Sequence, residues 1–391
     1  MKRSRKLEFK TAELVTILLA ICIFSTLTGC LVGYRLLSTK TLEPTYTEVD
    51  EDLQSFINEY NEIKNNYYGV FDSKKALTNA ITAVLESLGD NYSGVVDLES
   101  SSSDAVKLEG VYTGVGIEIY NDEKANIVVN SVFKGTPAHN AGLKTGDIIV
   151  KFNGISVEGL STTELVTKIK GTEGRTFTLE VYRDGARFNV SLKSETIVLK
   201  SVETAIYKSG NDDIGYIRVS IFANNTASQF KEALNKLDKN NINGLILDFR
   251  NNPGGYLHAA NDIADLLLDS SMVVYKTESN GMVEGYYSTG NKNYDKKIVI
   301  LINNNSASAS ELITASLKEN LNALVVGETS YGKGTVQEVK KYNGTQYKYT
   351  TKLWLTPSGK SINGVGIVPH FIVVPNGNND NQLQKALEQF K

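Results

Sequence analysis

The chain has 391 residues, 41% hydrophobic and 22% charged, with a net charge of −3. That length exceeds one ordinary core and predicts two or three domains, the composition excludes a disordered chain, and the charge excludes the basic footprint of a nucleic-acid binder. Both cysteines, Cys22 and Cys30, lie in the first apolar stretch, so residues 41–391 can form neither a disulfide nor a cysteine metal site.

The N-terminus is basic, with Lys2, Arg3, Arg5, Lys6 and Lys10, and Leu14 to Tyr34 then runs 21 residues without a charge before Arg35. Such a run spans a hydrocarbon core of ~30 Å at ~1.5 Å per residue, and the basic flank directs the remainder of the chain out of the cytoplasm. Residues 1–40 are therefore expected to be a cytoplasmic tail and a retained transmembrane signal anchor. Two other readings stay open. A cleaved secretory signal would serve, although a clear small-x-small cleavage site is lacking. The "LTGC" at 27–30 resembles a lipoprotein box that would lipidate Cys30, although Leu31 and Val32 continue the apolar run. All three place the body of the protein on the extracytoplasmic side, attached or released.

Residues 41–98 read as helical. Leu53, Phe56, Ile57, Tyr60 and Ile63 share one face at 3.6 spacing, and a second helix from Ser73 uses Leu77, Ile81, Val84, Leu85 and Leu88 before stopping at Gly89. A helical hairpin for packing or homodimerisation fits this pattern. "ESSSSD" (99–104) is a polar linker. Residues 105–195 form a β-rich unit, with strands at 114–120, 125–133 and 146–154 and a hairpin over 176–192 turning at Asp184-Gly185. Its helix, 162–169, begins at a capping box of Ser161 and Glu164.

From 196 to 391 strands alternate with helices. Strands are expected at 214–222, 244–249, 297–303 and 323–328, with helices at 227–239, 256–269 and 310–320, and a hairpin turning at Asn343-Gly344 comes after them. This alternation predicts a mainly parallel sheet with right-handed crossovers. Functional groups in such sheets gather at the carboxyl ends of the strands. Three small-residue loops fall there: "RNNPGG" (250–255), "NNNSASASE" (303–311) and "ETSYGKGTVQ" (328–337). Serines at a strand-to-helix turn lie near free amides and the positive end of a helix dipole, which favour an oxyanion. A hydroxyl still needs a base. His139, His258 and His370 lack an obvious orienting carboxylate, and His258 alone is kept as an alternative. Lys333, between two glycines, is the better base if burial lowers its proton affinity. Gln337 could orient its amine if the segment is a helical turn; in a strand, direct contact is harder.

Together "GLILDFRNNPGG", "NNNSASASELITASLKEN", "VVGETSYGKGTVQ" and "LTPSGKSINGVGIVP", in that order, resemble the C-terminal processing (tail-specific) serine peptidases. The likeness runs from about Gly89 to Pro369 and includes "GDNYSGVV". It implies an α/β protease core, a parallel-sheet fold of ClpP/crotonase-like type, with an inserted PDZ domain. It further implies Ser308 as nucleophile, Lys333 as general base, Gln337 as its assistant, and an oxyanion hole of the Gly254 and Ala309 amides. No cofactor or metal is implied. The 105–195 unit resembles the family's PDZ domain: Gly114, Val115, Gly116 and Ile117 would capture a substrate's C-terminal carboxylate, the tail would add as a strand, and Leu165 would line the groove. Two positions depart from the pattern: Lys170 stands where relatives often have arginine, and His370 where they usually have aspartate. The function implied is an endopeptidase that recognises C-terminal tails of proteins. A PDZ scaffold on a dead core and an esterase with the same dyad are the rivals. Within the serine run, Ser310 is expected to cap the helix and Ser306 to support the turn. Ser308→Ala should therefore abolish protein cleavage, whereas Ser306→Ala and Ser310→Ala should only weaken it.

Overall fold

Asp50 opens the first helix, α1 (Glu51–Asn66), by accepting the Asp52 amide on its side chain. The structure, a computed structural model, describes residues 50–96, 105–170, 173–291, 294–342, 344–377 and 379–391. The expected anchor at 14–34, the linker at 99–104 and Asn343 of the hairpin turn lie outside these. The chain divides into two compact units, residues 1–75 and 76–391. In the first, the expected face of α1 forms, but none of its residues is buried. A second helix, α2 (Ser73–Ser87), ends before Gly89, whose φ of +62° suits a glycine stop. The short β1 (Gly94–Val95) comes next.

The β-rich unit comprises β2 (Val111–Gly114), β3 (Ile117–Asn121), β4 (Ile127–Val132), the short α3 (Pro137–Asn140), β5 (Ile148–Phe152), β6 (Ile155–Ser156), α4 (Thr162–Ile169), β7 (Thr176–Arg183), β8 (Ala186–Lys193) and β9 (Glu195–Val198). The strand expected at 114–120 is broken. Gly116 takes φ +83°, and a Cβ there would meet the Thr136 side chain at 2.2 Å, so the backbone turns between β2 and β3. Asp184 and Gly185 both take positive φ, as a type I′ turn needs, and β7 pairs with β8 in the expected hairpin. Ser161 and Glu164 exchange the bonds of a capping box at α4.

The third region carries β10 (Val202–Ser209), β11 (Asp212–Val219), α5 (Thr226–Lys239), β12 (Gly244–Asp248), α6 (Leu257–Leu267), β13 (Val273–Ser279), β14 (Met282–Tyr287), β15 (Lys297–Ile302), α7 (Ala309–Asn320), β16 (Leu324–Gly327), β17 (Thr335–Tyr342), β18 (Thr345–Leu355), β19 (Phe371–Ile372) and α8 (Asn381–Glu388). One sheet runs β10-β11-β12-β15-β16-β19, parallel except at β10–β11. Every residue of β12 is buried because both faces are covered. Leu245 and Leu247 face the core shared with α5, α6 and α7, while Ile246 faces the cluster holding Ala386 of α8. A second, antiparallel sheet runs β1-β18-β13-β14, with β17 on β18. Its Trp354 and Tyr275 join the larger core, so this sheet leans against the helical layer. Beyond the expected β17–β18 hairpin, local sequence pattern does not predict this second sheet.

Leu247 is fully buried at the centre of the parallel sheet. Leu247→Ala should lower unfolding free energy by about 2–5 kcal/mol, read by chemical denaturation, because a sheet packed on both faces cannot collapse into the cavity.

Candidate active site

Between β15 and α7 the chain turns sharply through Ser306, Ala307 and Ser308. The Ser306 hydroxyl donates to the Phe249 carbonyl at 2.8 Å and accepts the Asn303 amide at 2.9 Å, fastening this turn to the end of β12. Ser310 does not cap the helix as expected. It is the second residue of α7, fully buried, and its hydroxyl donates to the Asn252 carbonyl at 2.9 Å. The N-cap is Ser308 itself, half-buried, with φ +55° and ψ −115°. A non-glycine residue there carries strain of about 1–3 kcal/mol and persists only when its surroundings over-determine it.

Glu311 supplies much of that constraint. Its carboxylate is fully buried, one turn into α7. One oxygen, Oε2, accepts the Ser308 amide at 2.8 Å and the Lys333 amide at 2.9 Å. The other, Oε1, accepts the Gly332 amide at 2.7 Å and the Ser330 hydroxyl at 2.6 Å. The Ser308 turn and the Lys333 loop therefore hang from a single side chain. Gly332, at φ +87°, has no room for a side chain: a Cβ would stand 2.9 Å from the Gly366 amide nitrogen. The indole of Trp354 closes the arrangement by donating to the Lys333 carbonyl at 2.8 Å.

The Lys333 side chain points to the turn after α2. Its Nζ lies 4.8 Å from the centre of the Tyr92 ring. Burial pushes its proton affinity down, Lys348 adds to that, and Asp90 and Glu311 pull it back. Gln337 lies in strand β17, at an irregularity between Val336 and Gln337, not in a helical turn. Its amide nitrogen donates to the hydroxyls of Thr335 at 2.7 Å and Thr350 at 3.1 Å. The Thr350 hydroxyl donates in turn to Asp90 at 2.5 Å. Among the described residues no hydrogen bond joins Gln337 to Lys333, in line with the strand reading, in which direct contact is harder.

The "RNNPGG" loop brings Gly254, one of the two expected oxyanion donors, against Ser308 and Ala309, the other. A Cβ on Gly254, at φ +101°, would stand 2.9 Å from the Ser308 Cβ and 3.1 Å from the Ala309 nitrogen, so only glycine lets the loop approach. Ala309 is the first residue of α7, where amides lie outside the helical ladder. The Gly254 amide, however, donates to the side-chain oxygen of the buried Asn252 at 2.9 Å. Asn252 also accepts the Ala307 amide on its carbonyl and donates to the Val219 carbonyl. Ahead of it, Arg250 donates to Asp248 and Asp380, tying the loop's start to the N-terminus of α8.

None of the histidines makes a hydrogen bond to Ser308 among the described residues. His258 is exposed and stacks on Tyr256 at 5.0 Å, His139 sits on α3 in the β-rich unit, and His370 accepts the Val325 amide at 3.0 Å. Gly114 ends β2, Val115 is buried and accepts the Ala138 amide, Gly116 makes the turn, and Ile117 opens β3. In its sheet β3 is a terminal strand, paired with β4 alone. Leu165 is fully buried in that unit's core. Lys170 is exposed at the C-cap of α4.

Sequence reasoning missed Glu311, Asn252, Asp90 and Tyr92 as parts of the site. Glu311 stands three residues after Ser308, at the spacing of a helix N3 acid, which was the available signal. Asp90 and Tyr92 belong to "GDNYSGVV", far away in sequence, and nothing local links them to Lys333.

Residues 213–373 match the model of peptidase family S41, and residues 113–193 match that of a PDZ domain. The carboxy-terminal processing protease CtpA of Bacillus subtilis (strain 168) is 33% identical over 372 residues, covering 94% of this chain and 77% of that protein. CtpB of the same organism is 35% identical over 327 residues, covering 83% of this chain and 68% of that one. The solved photosystem II D1 C-terminal processing protease is similar with a TM-score of 0.51 at 25% identity, covering 85% of this chain and 90% of that one.

Glu311→Gln turns one acceptor oxygen into a donor that faces other donors. It should lower stability by roughly 2–6 kcal/mol, since each stranded buried donor costs about 1–3 kcal/mol, and reduce proteolysis at least about tenfold. Denaturation and cleavage of an unstructured protein would read the two effects.

Proposed function

The chain belongs to peptidase family S41 as a carboxy-terminal processing serine protease with a PDZ domain, and from that premise we propose that it is an extracytoplasmic endopeptidase, held at the membrane by residues 14–34, that grips C-terminal tails and cuts proteins through an acyl-enzyme on Ser308. In this reading the Ser308 hydroxyl attacks the scissile carbonyl while Lys333 takes its proton. The same proton passes to the leaving amine, and water, deprotonated by the same lysine, releases the acid product. The amides of Ala309 and Gly254 receive the developing oxyanion. The observation that carries the reading is the shared Oε2 of Glu311, which accepts the amides of both Ser308 and Lys333. That pairing ties the backbone of a strained serine at a helix N-terminus to the backbone of a lysine whose ammonium is disfavoured by burial.

The unpaired edge of β3, next to the Gly114–Ile117 turn, supports capture of a tail by strand addition. PDZ gating is part of the proposal. In the arrangement described, Gln337 is held by Thr335 and Thr350, and the Gly254 amide by Asn252. Occupation of the PDZ groove would then favour a second arrangement in which both are released. Deleting residues 110–195 should alter cleavage of tail peptides, and unchanged cleavage would sink the gate.

The sign of the Lys333 shift sets the pH dependence. The base works as the neutral amine, and burial disfavours the ammonium. Cleavage should therefore rise with pH along a limb that lies below lysine's ordinary range and is absent in Lys333→Ala. Protein cleavage that survives Lys333→Ala would refute the mechanism, and simple-ester hydrolysis without protein cleavage would favour an esterase.

A further inference from the structure

The turn between α2 and β1 is built against the base. The Asp90 carboxylate accepts the Tyr92 amide at 3.0 Å, the Ser93 hydroxyl at 2.5 Å and the Thr350 hydroxyl of β18 at 2.5 Å. The Asp90 carbonyl accepts the Ser93 amide at 3.1 Å. The Ser93 hydroxyl accepts the Thr350 amide at 3.1 Å, and β1 continues the attachment by pairing Gly94 with Lys348 and Val95 with Tyr347. Hydrogen bonds and a strand pairing thus fix a four-residue turn. What they hold in place is the ring of Tyr92, whose centre lies 4.8 Å from the Lys333 amine.

We propose that Tyr92 is a positioning residue of the base: its ring is the seat of the Lys333 ammonium, the form the lysine takes once it holds the serine's proton. The inference rests on Lys333 being that base. When the Ser308 O–H bond breaks, its electron pair attacks the carbonyl carbon and its proton joins the Nζ lone pair. A full positive charge then appears in a partly buried site. An aromatic face attracts a cation through its quadrupole, and a neutral amine far less. The ring therefore holds the lysine tightly only while it is charged, and lets go when the proton moves on to the leaving group. Other charges face the same amine. Asp90, on the tyrosine's own turn, and Glu311, on α7, favour the ammonium, while Lys348 of β18 opposes it. An apolar residue at position 92 would keep the site dry yet offer no quadrupole, so the ring's part can be separated from that of burial.

The test uses the full chain and reads the rate at which a fluorophosphonate probe labels Ser308 across pH. This reports the base without any need for a tail-binding substrate. Tyr92→Leu, and pentafluorophenylalanine at position 92, which keeps the ring's shape and reverses its quadrupole, should each move the acid limb to lower pH by roughly half to one and a half units. Tyr92→Phe, which keeps the ring and loses only the hydroxyl, should leave the limb where it is. A purely structural role would depress labelling in every variant without moving the limb. Limbs of the Leu and pentafluorophenylalanine variants that coincide with wild type would overturn the proposal. A Lys333→Ala profile identical to wild type would remove the base itself, and the tyrosine's role with it, so the two failures are distinct.

Discussion

A carboxylate with no access to water, wired to four donors, is the constraint on which this protease core depends. Burying an isolated charge costs several kcal/mol, and the cost is offset only where geometry is good and every lone pair is used. Glu311 meets that condition with three backbone amides and one hydroxyl. Because the donors come from two segments, the bond set is also a ruler: it fixes the turn that bears Ser308 against the loop that bears Lys333. Hydrogen bonds to an ionised acceptor are roughly twice as strong as neutral ones, which suits a junction that must hold a strained residue in place.

The layers around this junction explain why it sits where it does. Parallel strands buried on both faces deliver their carboxyl ends to one edge, and the loops leaving β12, β15 and β16 meet there. Two glycines, Gly254 and Gly332, let backbone approach backbone at distances no side chain would permit. The antiparallel sheet adds something the parallel one cannot. It carries Gln337 and Thr350 on adjacent strands, and through β1 it draws the turn after α2 into the same neighbourhood. The candidate site is thus assembled from three separate stretches of chain, with the N-terminal part of the second unit contributing a wall.

Much of this was legible in the sequence. The alternation of strands and helices in 214–328 reflects local pattern, since the strands at 244–249 and 297–303 are nearly continuous apolar runs and the helices at 227–239 and 256–269 carry apolar residues at helical spacing. Ser308, Lys333 and Gly254 stand out because small residues at strand ends mark close approach. The roles of Ser306 and Ser310 were harder to assign. Ser306 does brace the turn, but the serine expected to cap α7 is buried against Asn252, and the residue read as nucleophile takes the N-cap position instead. Sequence spacing could not decide this, because a two-residue shift of a helix cap depends on what the turn packs against. Gln337 shows a related limit: the turn at Asn343-Gly344 signals a hairpin, but that its first strand reaches back through Gln337, with an irregularity there, is set by pairing with β18. Partners remote in sequence, such as Asp90 and Thr350, exist only once the two sheets are folded.

Asn252 has one further consequence. Its side-chain oxygen already occupies the Gly254 amide, so in the proposed mechanism an arriving substrate carbonyl would meet a tethered competitor rather than an empty donor. A tethered ligand acts at high effective concentration, and weak encounters cannot outcompete it. On that proposal displacement would draw on binding energy gained elsewhere along the substrate, and a chain that merely drifts into the cleft would leave intact. For an enzyme able to hydrolyse ordinary peptide bonds, this is a form of restraint written into a single asparagine.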